Sequence, residues 1–251
     1  MDPIHVFSSR AAIYAKYRWD YAPQAIQTIL DLAQVSGESC VADIGAGTGI
    51  LAKHFADRAK HVLAVEPNAA MRQIAAHAPR TYPSCQIVDG RAEATTLPDH
   101  SVDLITVAQS IHWFEPGLAR REFVRILKRG GWLAILRNHG TDEELGAALS
   151  EVFAKHRELD TEASMVGRGA PAGYYYGGNR FVMQTFAFST HRDWDAFIGS
   201  LSTTSSAPDE GSPPYARFVR GARRVFDTYA RNGVLESRAA TELCLGQLAG
   251  P

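Results

Sequence analysis

Cysteine is scarce in this chain, with three residues among 251 (Cys40, Cys85 and Cys244) and no Cys-x-x-Cys pair. The odd, scattered set excludes a disulfide framework and a thiolate zinc site, and predicts a reducing, cytoplasmic setting with no bound metal. Long apolar runs are missing as well. The run from Trp132 to Leu136 is far below the roughly 20 residues that span a bilayer, and the opening MDPIHVFSSR lacks the apolar core of a secretory signal. Neither charge sign is in excess: 26 Lys and Arg against 27 Asp and Glu leave a formal net charge of -1. No global field therefore draws the protein to nucleic acid or to an anionic membrane. Internal repeats and long low-complexity segments are also absent.

Short apolar runs alternating with helix-period segments occupy the first part of the chain, the pattern of a parallel sheet with crossover helices. Strands are predicted at Cys40 to Ile44, Val62 to Val65, Cys85 to Val88, Val102 to Val107 and Trp132 to Leu136. Helices are predicted from Thr48 to Asp57, after an Asn68 cap with Met71, Ile74 and Ala75 inward, and along Ala119, Phe123, Ile126 and Leu127 with Gly130-Gly131 as the stop. Pro23 opens an earlier helix, and Thr141 with Glu144 reads as a capping box for a later one. Phe181 to Phe188 and Thr241 to Leu248 read as two closing strands, with a Ser/Thr/Pro-rich loop, expected to be mobile, from Ser202 to Pro214. The arginines of the following helix (Arg217, Arg220, Arg224, Arg231) share one face, read as solvated rather than as an anion site.

The expected fold is α/β: a doubly wound, seven-stranded, mostly parallel sheet with its last strand pair antiparallel, helices on both faces and a small lid. Four segments are expected. These are N-terminal helices over residues 1–35, a Rossmann-like core over 36–139, a lid insertion over 140–180, and closing strands and helices over 181–251.

Val41-Ala42-Asp43-Ile44-Gly45-Ala46-Gly47-Thr48-Gly49 carries the chemistry. A strand runs into a glycine-rich turn, and glycine permits positive φ and close approach of the backbone to a ligand. Glu66 ends the second strand, where a carboxylate can accept hydrogen bonds from both hydroxyls of a ribose. A dinucleotide site wants G-x-G-x-x-G, to seat pyrophosphate on a helix N-terminus. Here the third glycine comes one residue early and Ile50 stands in its place. Asp43 adds a carboxylate better suited to a cationic ligand than to a pyrophosphate. Both features disfavour a nicotinamide dehydrogenase.

These residues resemble the class I S-adenosylmethionine-dependent methyltransferases, within them the group acting on small molecules. VADIGAGTG is similar to the family's first motif, with Gly45, Ala46, Gly47 and Gly49 at the cofactor and Asp43 toward its ammonium group. VLAVEPNAAM resembles the second, which implies Glu66 on the ribose and Pro67 and Met71 near the adenine. DGRAEATTLPDHSVDLITV resembles the stretch leading from the adenine pocket into the fourth strand, and LKRGGWLAI the turn and strand that follow. The likeness covers residues 36 to 137. Many relatives carry Asp where this chain has Arg91, so the adenine contact is left to the Ala92 backbone, to Glu93 or to neither. The stretch from Phe7 to Arg18 is similar to the opening of many such enzymes, which implies Tyr14 and Arg18 at the methionine carboxylate. A surface helix with a buried Tyr14 is the alternative.

Methyl transfer from a sulfonium is an in-line displacement, so alignment and exclusion of water matter more than acid–base assistance. After the fourth strand come Gln109-Ser110-Ile111-His112-Trp113-Phe114, at the sheet edge where open α/β folds place ligands. The Asn/Asp-Pro-Pro-Tyr and Pro-Cys motifs of amino- and cytosine-methylating enzymes are absent, which argues against nucleic-acid acceptors. The stretch resembles small-molecule enzymes, including some that methylate carboxylic acids. That implies Gln109 at the cofactor and Trp113 and Phe114 at the acceptor. His112 is a candidate base or acceptor-orienting group, with helix-start hydrogen bonding as the alternative, and His139 is a second candidate. Tyr174, Tyr175 and Tyr176 lie in the expected lid as acceptor contacts, with an edge strand as the alternative. The sequence thus points to methylation of an oxygen or nitrogen on a small metabolite, or else to a non-catalytic binding module that keeps the cofactor pocket. It does not speak to the oligomeric state.

Overall fold

The structure, a computed structural model, describes residues 10–77, 82–157, 169–178 and 180–248. Its elements run α1 (Ala11–Tyr17), α2 (Pro23–Leu32), β1 (Cys40–Ile44), β2 (His61–Val65), α3 (Ala69–Ala75), β3 (Cys85–Val88), β4 (Val102–Ala108), α4 (Pro116–Ile126), β5 (Leu127–Gly140), α5 (Glu143–Arg157), α6 (Ala172–Tyr175), β6 (Phe181–Arg192), α7 (Trp194–Ser202), α8 (Tyr215–Tyr229) and β7 (Leu235–Gln247). Single 3₁₀ turns stand at Ala52–His54 and Ile111–Trp113. The strands form one seven-stranded sheet in the order β3-β2-β1-β4-β5-β7-β6. The first five pair in parallel. The last pair is antiparallel: Gly246 of β7 packs on Phe181 of β6, whereas Ser237 meets Thr190. This is the expected doubly wound fold.

Two compact units divide the chain. One comprises residues 20–137, 166–186 and 241–251, and the other residues 1–19, 138–165 and 187–240. The sequence was expected to break into four successive segments, whereas both units are assembled from separated stretches.

In the first unit, strand alternation sorts side chains into two cores. Ala42, Ile44, Val65, Ile105, Val107, Leu133 and Ile135 face one way, against Ala119, Phe123 and Ile126 of α4 and against Tyr175 and Tyr176. Val41, Val62, Ala64, Leu104, Ala134 and Leu136 face the other, against Ile26 and Ile29 of α2 and against Leu51, Ala52 and Phe55. Burying the Val, Leu, Ile and Phe side chains among these contributes roughly 1.5–3 kcal/mol each. In the second unit, α5, α7 and α8 enclose Leu145, Val152, Phe197, Phe218 and Phe226. There Arg10 reaches the Ser/Thr/Pro-rich loop, donating to the carbonyls of Thr204 and Ala207 at 2.7 Å each and pairing with Asp209 at 2.6 Å.

Three local expectations are corrected. The helix predicted from Thr48 to Asp57 reduces to turns around one 3₁₀ turn, because Gly49 has a φ of 82°, outside the right-handed helical region. The stop predicted at Gly130-Gly131 falls inside a strand: α4 ends at Ile126 and β5 begins at the next residue, with a register shift against β4 between Val102 and Leu104. A third, the edge strand weighed as the alternative for the three tyrosines, gives way to a helical turn that holds Tyr174 and Tyr175 and is capped by Tyr176. Residues 7–9 of the N-terminal stretch, and 158–168 and 179 of the expected lid, lie outside the described residues.

Helical spacing sends the tyrosines to different places. Tyr174 is 46% exposed, whereas Tyr175 and Tyr176 are fully buried. The single proton of the Tyr176 hydroxyl is shared between the carbonyls of Leu133 at 3.1 Å and Cys244 at 2.8 Å, and its ring stacks on Phe181 at 4.5 Å. Tyr176→Phe is expected to lower unfolding free energy by about 1–2 kcal/mol, since buried carbonyls lose a donor. Urea unfolding measures this, and an unchanged midpoint would show that the hydroxyl contributes nothing.

Candidate functional site

At the carboxyl end of β1 the chain must leave the sheet within a few residues. Gly45, Gly47 and Gly49 take φ values of 70°, 58° and 82°, a region that L side chains rarely enter. A Cβ on Gly45 would lie 2.7 Å from Ser110 Oγ and 3.3 Å from Phe114 Cζ, so this turn lies directly against the segment after β4. The amides of Gly45 and Ala46 both donate to the Val65 carbonyl, at 2.8 and 3.1 Å. Ser110 Oγ donates to the Ile44 carbonyl at 3.1 Å. The turn is thus held from β2 on one side and from the segment after β4 on the other.

Glu66 follows β2 and is 8% exposed. Its Oε2 accepts from the Gly47 amide and its Oε1 from the Asn68 amide, both at 2.8 Å. Burial raises its pKa, and those two amides and Arg72 work the other way. Each oxygen keeps lone-pair capacity for a further donor. Asn68 caps α3 by accepting from Met71 N at 3.1 Å. Arg72, one turn further on, donates to the carbonyls of Glu66 at 2.9 Å and Pro67 at 2.7 Å and pairs with Asp89 at 2.7 Å. This clamp was not visible in the sequence, because its partners are backbone carbonyls that no residue type marks.

Asp43 is 1% exposed, and Thr106 Oγ1 donates to its Oδ1 at 2.9 Å. Its Oδ2 is buried without a hydrogen-bond partner. Desolvation pushes its pKa up to about 7. Thr106 and the Ala52 amide oppose the rise, and the Glu66 carboxylate adds to it. A second carboxylate, Glu66, thus stands near a buried carboxyl that has one oxygen without a hydrogen-bond partner.

Beyond β3, Arg91 and Ala94 form an isolated bridge that folds Ala92 inward. Glu93 Oε1 accepts from the Glu115 amide at 2.8 Å, joining this turn to the start of α4. Buried Glu122 accepts from Thr95 N at 2.7 Å and Thr95 Oγ1 at 2.6 Å, and Arg125 bridges Glu122, the Leu97 carbonyl and Asp99. Glu122 and Arg125 were likewise not legible as site supports.

Gln109 ends β4 in the left-handed region, with a φ of 56°, and its amide donates to Leu136 O at 3.1 Å. His112 stands in the 3₁₀ turn, 4.9 Å from the Trp113 ring, and Gly169 presses against its backbone. Phe114 is 9% exposed and packs edge-on to Phe123, which puts it under the glycine turn rather than on an open wall. Tyr175 stacks near Phe123 as well. Its hydroxyl is buried without a partner, and burial together with Glu93 pushes its pKa up to about 12. Asp43, Gly45–Gly49, Glu66, Pro67, Met71, Ala92, Glu93, Gln109, His112, Trp113 and Phe114 therefore all belong to one unit. Tyr14, Arg18 and His139 belong to the other. There Arg18 lies 5.3 Å from the Tyr14 ring and reaches Thr203 Oγ1 at 3.4 Å.

Residues 42–135 match a family model described as a methyltransferase domain. The chain is 30% identical over 212 residues to a methyltransferase-like protein of Schizosaccharomyces pombe, covering 82% of this chain and 81% of that protein. It is 37% identical over 140 residues to an uncharacterized methyltransferase of Mycobacterium tuberculosis, covering 56% and 54%. The chain spans about half the length of the mycobacterial relatives it matches. In fold it is similar to the YcgJ protein of Bacillus subtilis, with a TM-score of 0.59, 19% identity and coverage of 92% of this chain and 100% of that one.

Asp43 gives this site a pH signature. Its folded pKa of about 7 lies above the ordinary carboxylate value, so the folded state binds the extra proton between the two. The stability from that proton is present below the unfolded pKa and is lost as pH rises through about 7. Asp43→Asn is expected to flatten this fall and to be more stable than the parent at pH 8 without ligand. Urea unfolding from pH 5 to 8 checks it, and parallel profiles for the two proteins would contradict the assignment.

Proposed function

Since the chain belongs to the class I S-adenosylmethionine-dependent methyltransferases, we propose that it moves a methyl group from that cofactor to an oxygen or nitrogen of a small metabolite. One observation carries the reading: two buried carboxylates, Asp43 with one oxygen unpartnered and Glu66 with spare lone pairs, flank a turn of three glycines at positive φ. Pyrophosphate would be repelled there, whereas a ribose bearing a cationic amino acid meets acceptors for its hydroxyls and a counter-charge for its ammonium.

The bound cofactor supplies an activated methyl group, and the chain's part is to hold and exclude. Glu66, fixed by the Gly47 and Asn68 amides, takes the ribose hydroxyls. Arg72 keeps the carbonyls of Glu66 and Pro67 in place. Asp43 takes the ammonium group. Met71 and Ala92, both buried, with Pro67 and Glu93, bound the adenine. Gln109 faces the donor from the end of β4, and its left-handed backbone turns the chain into the 3₁₀ segment that carries His112 and Trp113. These two, with exposed Tyr174, meet the acceptor. His112 accepts a proton at a ring nitrogen if the acceptor is protonated at working pH. The balanced charge of the chain favours a small acceptor over nucleic acid. Among the described residues no helix is long and apolar enough to cross a membrane.

The test is calorimetric binding of S-adenosylmethionine and S-adenosylhomocysteine, with release of the latter on incubation with metabolite extracts. Absence of binding would sink the proposal. Glu66→Ala is expected to weaken binding by on the order of 1.5–3 kcal/mol, the scale of charge-assisted hydrogen bonds, and unchanged affinity would remove Glu66 from the ribose. His112→Gln is expected to leave cofactor affinity unchanged, to lower turnover by roughly 10²-fold and to abolish the acidic limb of the pH–rate profile. Turnover and KM like the parent's would make His112 a structural residue.

A further inference from the structure

Four arginines around α8 read in the sequence as one solvated face, and the structure separates them. Arg231 lies beyond the end of the helix and donates to the carbonyls of Thr228 at 3.1 Å and Ala230 at 3.0 Å. Arg217, Arg220 and Arg224 stay together, since steps of three and four residues bring side chains onto one helical face. They line a cleft of about 360 Å³ between α5 and α8. Val152 of α5 and Val225 of α8, both buried, give it apolar lining, and Glu151 lines it from the α5 side. A Cβ on Gly221 would lie 3.2 Å from Val152 Cγ1, so the two helices meet at close range at this point of the cleft.

Among the described residues no carboxylate pairs with these three arginines, Glu151 included, whereas Arg223 on the same helix pairs with Asp227 at 2.9 Å. Arg217 and Arg220 stand three residues apart and Arg220 and Arg224 four, spacings at which like charges destabilise a helix. The row runs about 10 Å along the helix axis. With a net charge of -1 over the whole chain, it is a local feature and not part of a general basic field. Every lining residue belongs to the unit of residues 1–19, 138–165 and 187–240, so the cleft is built within one compact body, and Asp43 and Glu66 belong to the other. Its volume suits a small molecule, for which clefts of roughly 300–1,000 Å³ are usual. Eight described residues line it, against the roughly 20–30 a side of a protein–protein interface. We propose that this cleft binds a small multivalent oxyanion, a molecule that carries two or more phosphate or carboxylate groups, with Arg217, Arg220 and Arg224 as its receptors. Each guanidinium offers paired N–H donors to such oxygens. One ligand that bridges the row replaces the repulsion among the three cations with attraction to a shared counter-charge.

The test titrates the full chain with sodium tripolyphosphate and, separately, with trisodium citrate at constant ionic strength, following Tm and heat of binding. The parent is expected to bind at least one of them, one per chain, with a rise in Tm, and its preference distinguishes phosphate from carboxylate. The single-group ions phosphate and acetate are expected to bind about tenfold or more weakly than the preferred multivalent one. Arg220→Gln removes the middle charge of the row and is expected to weaken binding about tenfold or more, with a Tm in the absence of anion at or above the parent's. Arg223→Gln, at the arginine already paired with Asp227, is expected to bind as the parent does. A parent that binds neither multivalent anion would overturn the proposal. So would a single-group ion that binds as tightly, or equal weakening in Arg220→Gln and Arg223→Gln, the mark of general charge attraction.

Discussion

The buried carboxylate of Glu66 is the interaction on which the turns after β1 and β2 depend. Its two oxygens take amides from two different turns, Gly47 after β1 and Asn68 before α3. A carboxylate this deeply buried is tolerated only because those N–H groups meet it, and the turns keep their shape because the carboxylate is there. Val65, the residue before it, accepts from Gly45 and Ala46, so the end of β2 holds the glycine turn through both its backbone and its side chain. Arg72 closes the arrangement from α3 by holding the carbonyls of Glu66 and Pro67.

The same region shows why a binding site and a stable core make different demands. Asp43 occupies a position on β1 whose neighbours on that face, Val41, Val62 and Ala64, are apolar. A carboxyl among these apolar neighbours carries a desolvation cost that Thr106 meets at one oxygen only. Arg192 in the other unit is likewise buried, with Ser200 and Ser237 as its acceptors and Nε without one.

Much of the architecture was legible in the sequence. Strand alternation marked Cys40–Ile44 and Cys85–Val88 at their observed limits, and Asn68 was read as a cap and caps α3 through Met71. Where reading failed, a local rule was overridden by geometry that it does not contain. Thr48 to Asp57 has helical composition, but three glycines at positive φ commit the chain to a turn instead. Gly130-Gly131 resembles a helix stop, yet pairing with β4 draws the chain into a strand immediately after Ile126. Tyr174, Tyr175 and Tyr176 are alike in sequence, and a single helical turn sends the last two into the core.

The sequence by itself determined the order of strands and helices, the glycine turn and the acidic residue that ends β2. Those depend on periodicity, on glycine's freedom at positive φ and on short spacings along the chain. Only the tertiary structure decided which polar groups meet. Thr106 reaches Asp43 from a strand 63 residues away, Arg192 finds Ser237 45 residues on, and Tyr176 finds carbonyls 43 and 68 residues distant. Hydrogen-bond partners across a sheet are set by register and burial, and neither is written in the neighbouring residues.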